Sequence, residues 1–239
     1  MKTCVLINKK YMKKLFKKYN LELEDYEYDK FEKFLKIFIE KNSQINLSAI
    51  RDEEWIIEKH FVDSIMLNIF LELEWKVADM WTGGWFPLIP LAIINSEVQF
   101  VWMDSVGKKL KAIDWFVEEL WLNNVTTLNG RAEEIWQNLA HREQYDFVTS
   151  RATANFPTLL EYVIPLLKVW WIFAAYKLDD KQELKSAKKA LSRLWAKIRK
   201  VKNYSLAWQD RTIILIEKIT KTHIKYPRKV WVPLMSPIK

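Results

Sequence analysis

The rhythm of apolar positions changes once along this chain, near residue 72. Between residues 9 and 70 it is helical: Phe31, Phe34, Leu35, Ile37 and Phe38 repeat at the spacing of one helix face. The polar stretch NSQINLSAI (42–50) interrupts the pattern, and Glu53–Leu71 resumes it as a second amphipathic segment. From Lys76 onward, short apolar runs alternate with helical patterns. Strands are predicted near 76–80, 99–104, 124–128 and 145–150, and helices near 86–95, 107–120, 131–138 and 156–168. IFAAYKL (172–178) reads as a fifth strand and residues 180–200 as a basic helix. YSLAWQ (204–209) and RTIILIEKI (211–219) read as a closing antiparallel pair. Such alternation predicts an α/β fold, a Rossmann-like doubly wound sheet that is mostly parallel and covered by helices on both faces. The change of rhythm divides the chain into an N-terminal helical extension (1–71) and an α/β domain (72–239). Phe34, Leu35, Phe38, Ile57 and Phe61 share a stripe and are expected to pack the extension on the domain.

Composition complicates this picture. The 239 residues include 13 Trp and 4 Gly, whereas ordinary usage gives Gly about 7% of a chain. Several tryptophans stand where the chain should turn. Trp75 precedes the first strand, Trp121 follows the helical VEEL as a terminating glycine does, Trp170-Trp171 follow LLEYVIPLLK, and Trp231 lies in a Pro-flanked tail. Most of these residues read as glycine positions, as if a codon taken for tryptophan is read as glycine in the source organism. UGA is such a codon in some bacterial lineages. The reading is weakest for Trp55, Trp115 and Trp195, which fall in predicted helices, where glycine costs roughly 1 kcal/mol.

The single Cys4 excludes an internal disulfide framework and suits a reducing cytoplasm. No run of about 18 uncharged apolar residues predicts a membrane span, and no cleavage pattern of a signal peptide follows the N-terminus. No His, Cys and carboxylate cluster has metal-site spacing. The formal charge of +8 points to a polyanionic partner, nucleic acid before membrane.

Candidate chemistry lies at the ends of the predicted strands. VADMWTGGWFPLIPLAI (77–93) runs strand, small-residue turn, helix, the order that opens a nucleotide- or nucleoside-binding fold, with Asp79 closing the strand. Asp104 ends the next strand, 20 residues after Gly84, where an acid can accept both hydroxyls of a ribose; it reads equally well as a helix cap. NGRAEEI (129–135) offers a backbone amide and Glu133 to an adenine, or is an acidic helix start. Arg151 in TSRA (149–152) points from a strand end into the crevice. With glycine at 81 and 85, residues 79–85 read D-x-G-T-G-x-G, a pattern of S-adenosylmethionine methyltransferases more than of dinucleotide enzymes.

INLSAIRDEEWIIEKHFVDSI (45–65), VADMWTGGWFPLIPLAI (77–93), MDSVGKKLKAI (103–113), NGRAEE (129–134), FVTSRA (147–152), LLKVWWIFAAYK (166–177) and YPRKVWVP (226–233) together resemble the RsmG/GidB family. Its members are 16S rRNA (guanine-N7)-methyltransferases. The segments run in family order over roughly residues 30–235. The resemblance implies a class I S-adenosylmethionine methyltransferase fold and S-adenosyl-L-methionine as cofactor. It places Asp79, Trp81 (as glycine), Gly83, Phe86, Asp104, Ala132, Glu133 and Arg151 around the cofactor. Arg151 is the candidate for orienting or balancing charge, and Lys59 and His60 are weaker candidates at the rim. Family glycines fall at 81, 85, 121, 170, 171 and 231, all Trp here, and Leu88 replaces a small residue. RNA contact is expected from Lys188, Lys189, Arg193, Lys197, Arg228 and Lys229. The expected partner is 16S rRNA in the small ribosomal subunit or its precursor, with a monomeric protein acting in the cytoplasm and no membrane or metal. Two other readings remain: a basic RNA-binding or assembly module with a defective cofactor site, and a methyltransferase with another substrate.

Overall fold

Strands buried on both faces of a sheet read as near-continuous apolar runs, and such runs place the strands at 76–80, 99–104 and 145–151, whereas the edge strand at 125–129 is only partly buried. The computed structural model describes residues 7–80, 86–151, 155–178 and 181–238, without the side chains of residues 132–133 and 181–182. Lys76–Met80 (β1), Gln99–Asp104 (β2), Val125–Asn129 (β3), Tyr145–Arg151 (β4) and Leu167–Lys177 (β5) are parallel. Ala196–Leu206 (β6) and Gln209–Lys218 (β7) form a hairpin, with β7 antiparallel to β5. The sheet order is β3-β2-β1-β4-β5-β7-β6.

Three predicted boundaries move. The helix near 131–138 is a single turn, Ala132–Ile135 (α8). The basic helix ends at Arg193 (Lys181–Arg193, α10), so Lys197 lies on β6. Trp170 and Trp171 lie within β5 and not in a turn before it: Tyr145 pairs with Leu167 but Phe147 with Ile172, and the extra β5 residues bulge between them.

The N-terminal helices are Lys9–Lys18 (α1) and Asp25–Ile45 (α2). A capping box between Glu24 and Glu27 starts α2, and Asn46 ends it at φ 56°. Asp52 caps the next turn, Glu53–Ile56 (α3), by accepting from the Trp55 amide at 3.0 Å. The chain then widens to a π-helical turn over Ile57–Val62 before Asp63–Ile65 (α4) and Leu67–Phe70 (α5). Such wide turns recur at functional sites, and this one carries Lys59 and His60.

Phe34, Leu35, Phe38, Ile57 and Phe61 are fully buried and belong to one apolar cluster with the α/β residues. Phe34 stacks on Phe61 at 4.9 Å and meets Phe116 of Gly107–Glu119 (α7) edge-on at 5.5 Å. Phe38 meets Phe86, two residues before Leu88–Ile94 (α6), at 5.4 Å. Each such ring contributes about 1.5–3 kcal/mol by leaving water, so the helices are integral to one face of the sheet. The opposite face packs on Phe156–Val163 (α9) and α10 through Leu159, Leu160, Ala187, Ala190 and Leu191.

Candidate functional site

From β1 the chain builds β2 and β3 on one side, then returns to place β4 and β5 on the other. The strand order therefore reverses between β1 and β4, and the crevice outside their carboxyl ends is where open α/β sheets bind ligands. Asp79, fully buried near the end of β1, lies in register between Trp102 of β2 and Thr149 of β4. Asp104 ends β2, also buried. Its Oδ1 accepts from the Val106 amide at 2.9 Å and its Oδ2 from Lys109 Nζ at 3.3 Å. The capping and ligand readings of Asp104 are thus compatible, because one oxygen holds the turn. The Gly130 amide donates to the Asp104 carbonyl at 3.3 Å. A Cβ on Gly130 would stand 2.9 Å from Ile135 Cγ1, so any larger residue there would have to displace that side chain.

Arg151, at the end of β4, joins the α/β part to the π-helical turn. Its NH1 donates to Asp63 Oδ2 at 2.9 Å and to the Lys59 carbonyl at 3.3 Å, its NH2 faces His60 Nδ1 at 3.2 Å, and its guanidinium lies 5.1 Å from the Phe86 ring centre. A guanidinium only donates, which makes His60 Nδ1 the acceptor and assigns the proton to Nε2, 2.8 Å from Ser48 Oγ. The His60 ring also stacks on Phe86 at 4.4 Å. Burial, reinforced by the charge of Arg151, pushes His60 down to about 3, so the ring is neutral at physiological pH. Asp63 is buried, and its other oxygen accepts from Tyr204 Oη at 2.8 Å across from β6. Tyr176 of β5 donates to the Ser64 carbonyl at 2.5 Å. Lys59, His60, Asp63, Arg151 and Tyr176 line a cavity of about 410 Å³ beside the crevice.

Asp79, Phe86, Asp104 and Arg151 thus gather at one crevice. Trp81 and Gly83 lie outside the described residues. Ala132 and Glu133 sit on α8, just beyond β3, with side chains outside the description. Asp63, Tyr176 and Tyr204 were not among the sequence candidates. Asp63 stands inside the KHFVDS segment, which is a signal, whereas the two tyrosines carry none.

The cations expected at RNA divide into two groups. Lys188, Lys189 and Arg193 are exposed on α10, Lys197 on β6 and Lys229 in the C-terminal segment. Lys197 is shared with Glu217 at 3.3 Å. Arg228 departs from the expectation of a free cation. It grips the fully buried Glu161 through Nε at 2.9 Å and NH2 at 2.7 Å, and donates to the Ser236 carbonyl at 2.7 Å. The buried carboxylate neutralises its charge and turns it inward. Among the described residues no helix is long and apolar enough to cross a membrane, and no three or more His, Cys, Asp or Glu gather to hold a metal.

Residues 27–215 match the model of GidB, rRNA small subunit methyltransferase G. The chain belongs to this family. It is 41% identical over 233 residues to ribosomal RNA small subunit methyltransferase G of Fusobacterium nucleatum, covering 96% of this chain and 100% of that one. The protein of the same name from Desulfitobacterium hafniense is 40% identical and covers 92% of each chain. Among solved structures, a SAM dependent methyltransferase from Aquifex aeolicus superposes with a TM-score of 0.53 at 14% identity, over 75% of this chain and 98% of that one. A branched-chain polyamine synthase from Thermus thermophilus gives 0.55 at 10% identity, over 72% of this chain and 57% of that one. These likenesses show the class I methyltransferase fold.

Proposed function

We propose that this chain methylates N7 of a guanine in 16S rRNA, taking the methyl group from S-adenosyl-L-methionine. The observation that carries this reading is the convergence of Asp79, Phe86, Asp104 and Arg151 on the switch-point crevice of a chain that belongs to this family. The residues present fit the cofactor. Asp104 Oδ2 offers an acceptor to ribose hydroxyls, and Phe86 offers an apolar surface beside Arg151. When bound, S-adenosylmethionine would supply a sulfonium methyl to the N7 lone pair and leave as S-adenosylhomocysteine; N7 carries no proton, so no general base is needed. The protein's part is then position and orientation, which can be worth about 7–11 kcal/mol. His60 is neutral near physiological pH and does not take up a proton there. It and Asp63 instead hold the Arg151 guanidinium at a fixed angle beside the crevice.

Exposed Lys188, Lys189 and Arg193 on α10, with Lys197 and Lys229, supply the phosphate contacts, which give affinity without base choice. The substrate is 16S rRNA within the small subunit or its precursor, met by a monomer in the cytoplasm. Small subunits from cells lacking N7 methylation, incubated with methyl-labelled S-adenosylmethionine, should yield labelled 7-methylguanosine after digestion. Label on another base atom overturns the choice of substrate atom. RNA binding without label favours the assembly-module reading.

A further inference from the structure

Ten described non-glycine residues have positive φ, and six of them are tryptophans: Trp75, Trp121, Trp170, Trp195, Trp208 and Trp231. Asn reaches this region readily, but a bulky residue does so only under strain. No described glycine has positive φ. The local geometry at three of the six is specific. After α7, the Trp121 amide donates to Glu118 and the Leu122 amide to Val117, the paired bonds of a Schellman motif, with Trp121 at φ 51° in the position that glycine usually fills. After α10, the Trp195 amide donates to Ser192 and φ is 55°. Trp195 is thus a helix terminator, and its expected place inside a helix is corrected. Between β6 and β7, Leu206 pairs with Gln209 and leaves a two-residue loop with φ 51° at Ala207 and 63° at Trp208. Two-residue loops with both φ positive are dominated by glycine and asparagine. All six indoles are more than half exposed, and Trp208 is 94% exposed. Trp102 and Trp136, by contrast, are fully buried and take no positive φ.

These six side chains are more than half exposed, and their backbones are strained. We propose that the protein made by its source carries glycine at positions 75, 121, 170, 195, 208 and 231, through UGA codons read as glycine. Peptide mass spectrometry of the protein isolated from its source, with the gene's codons read alongside, tests this. Expected are UGA codons and glycine-containing peptides at all six positions. Tryptophan in the native peptides, or UGG codons there, overturns it.

A different observation carries a second inference, which rests on the proposed methyl transfer. Tyr204 and Arg211 also line the cavity beside the crevice. Both oxygens of Asp63 already accept there, one from Arg151 and one from Tyr204. Arg211 is only partly engaged: its NH2 donates to Gln209 at 3.0 Å, but its Nε is buried with no hydrogen-bond partner. A buried donor without a partner is costly and calls for an acceptor. On a purine, position 6 neighbours N7 on the same edge; guanine presents an oxygen acceptor there and adenine an amino donor. We infer that Arg211 donates to O6 of the target base, which favours guanine and turns N7 towards the crevice. Arg211 is then a specificity-determining residue.

The protein as its source makes it is compared with Arg211→Met and Arg211→Lys. Binding of S-adenosylmethionine is read by calorimetry, and methylation by label transfer to unmethylated small subunits. Arg211→Met should keep the cofactor Kd within twofold and lose more than tenfold in kcat/KM. Arg211→Lys, which retains a donor, should keep activity within about threefold. Equal loss in both variants, or activity of Arg211→Met within twofold of the parent, overturns the assignment. Absence of 7-methylguanosine with the unmutated protein instead overturns the methyl-transfer reading beneath it.

Discussion

His60 should make this protein acid-sensitive well above the range where carboxylates titrate. In the fold its Nδ1 accepts from a permanent cation, Arg151, 3.2 Å away, and its ring is stacked on Phe86. Protonation would set two positive charges against each other in a buried place. The folded chain therefore holds this imidazole neutral to about 3, whereas the unfolded chain protonates it near its ordinary value of 6.5. The unfolded state binds the extra proton, so the contribution is intact above about pH 6.5 and is lost progressively as pH falls towards 3. Each pH unit inside that window costs up to about 1.4 kcal/mol, and the step from pH 7 to pH 5 costs about 2 kcal/mol. A typical domain has about 5–15 kcal/mol in total.

Glu143, held low by Lys218 and the Thr222 amide despite its burial, matters only below the pH 7 to 5 window. His141, pushed down by burial and by Lys76, adds a slope of the same sign. Glu27, pushed up by burial, runs the other way. Urea unfolding at half-unit pH steps should show stability falling from pH 7 to 5 in the parent. His60→Gln, whatever its absolute stability, should lose most of that slope. An unchanged slope in His60→Gln would refute the neutral, Arg-facing imidazole.

Asp104→Ala should weaken S-adenosylmethionine binding more than tenfold by calorimetry, since hydrogen bonds to a charged acceptor are worth about 1.5–3 kcal/mol each; an unchanged Kd removes Asp104 from the site. Trp208→Gly should raise stability by about 1 kcal/mol, the 1–2 kcal/mol of left-handed strain less the entropy gained by the unfolded chain. This is read as a higher urea midpoint at constant slope, and a lower midpoint would contradict the turn geometry. Lys188→Glu/Lys189→Glu should leave cofactor affinity unchanged and flatten the salt dependence of RNA binding, by roughly one unit of slope for each phosphate no longer neutralised. An unaltered slope would place the RNA elsewhere.

The sheet could be read from the chain because each parallel strand is a local signal: KVADM and QFVWMD are apolar runs carrying an acid at or near their ends, and the acids mark the crevice edge. The joint between extension and domain could be read only in part. Phe34 and Phe61 each lie on the apolar face of their own helical segment, but Arg151 meets Asp63 across 88 residues and Tyr204 meets it across 141, and no periodicity connects such distances. Lys197 falls on a strand for another reason. β6 is an edge strand whose exposed cations show no apolar alternation, so its sequence resembles the polar face of the helix before it. The tryptophans mark the opposite case. Their side chains mislead, since Trp195 looks like helix interior, yet their spacing falls where helices end and strands turn. A left-handed backbone is imposed by the elements on either side of it, so the position stays recognisable when the residue standing there is the one least suited to it. That separation of backbone demand from side-chain identity is what lets a fold report on the genetic code that produced it.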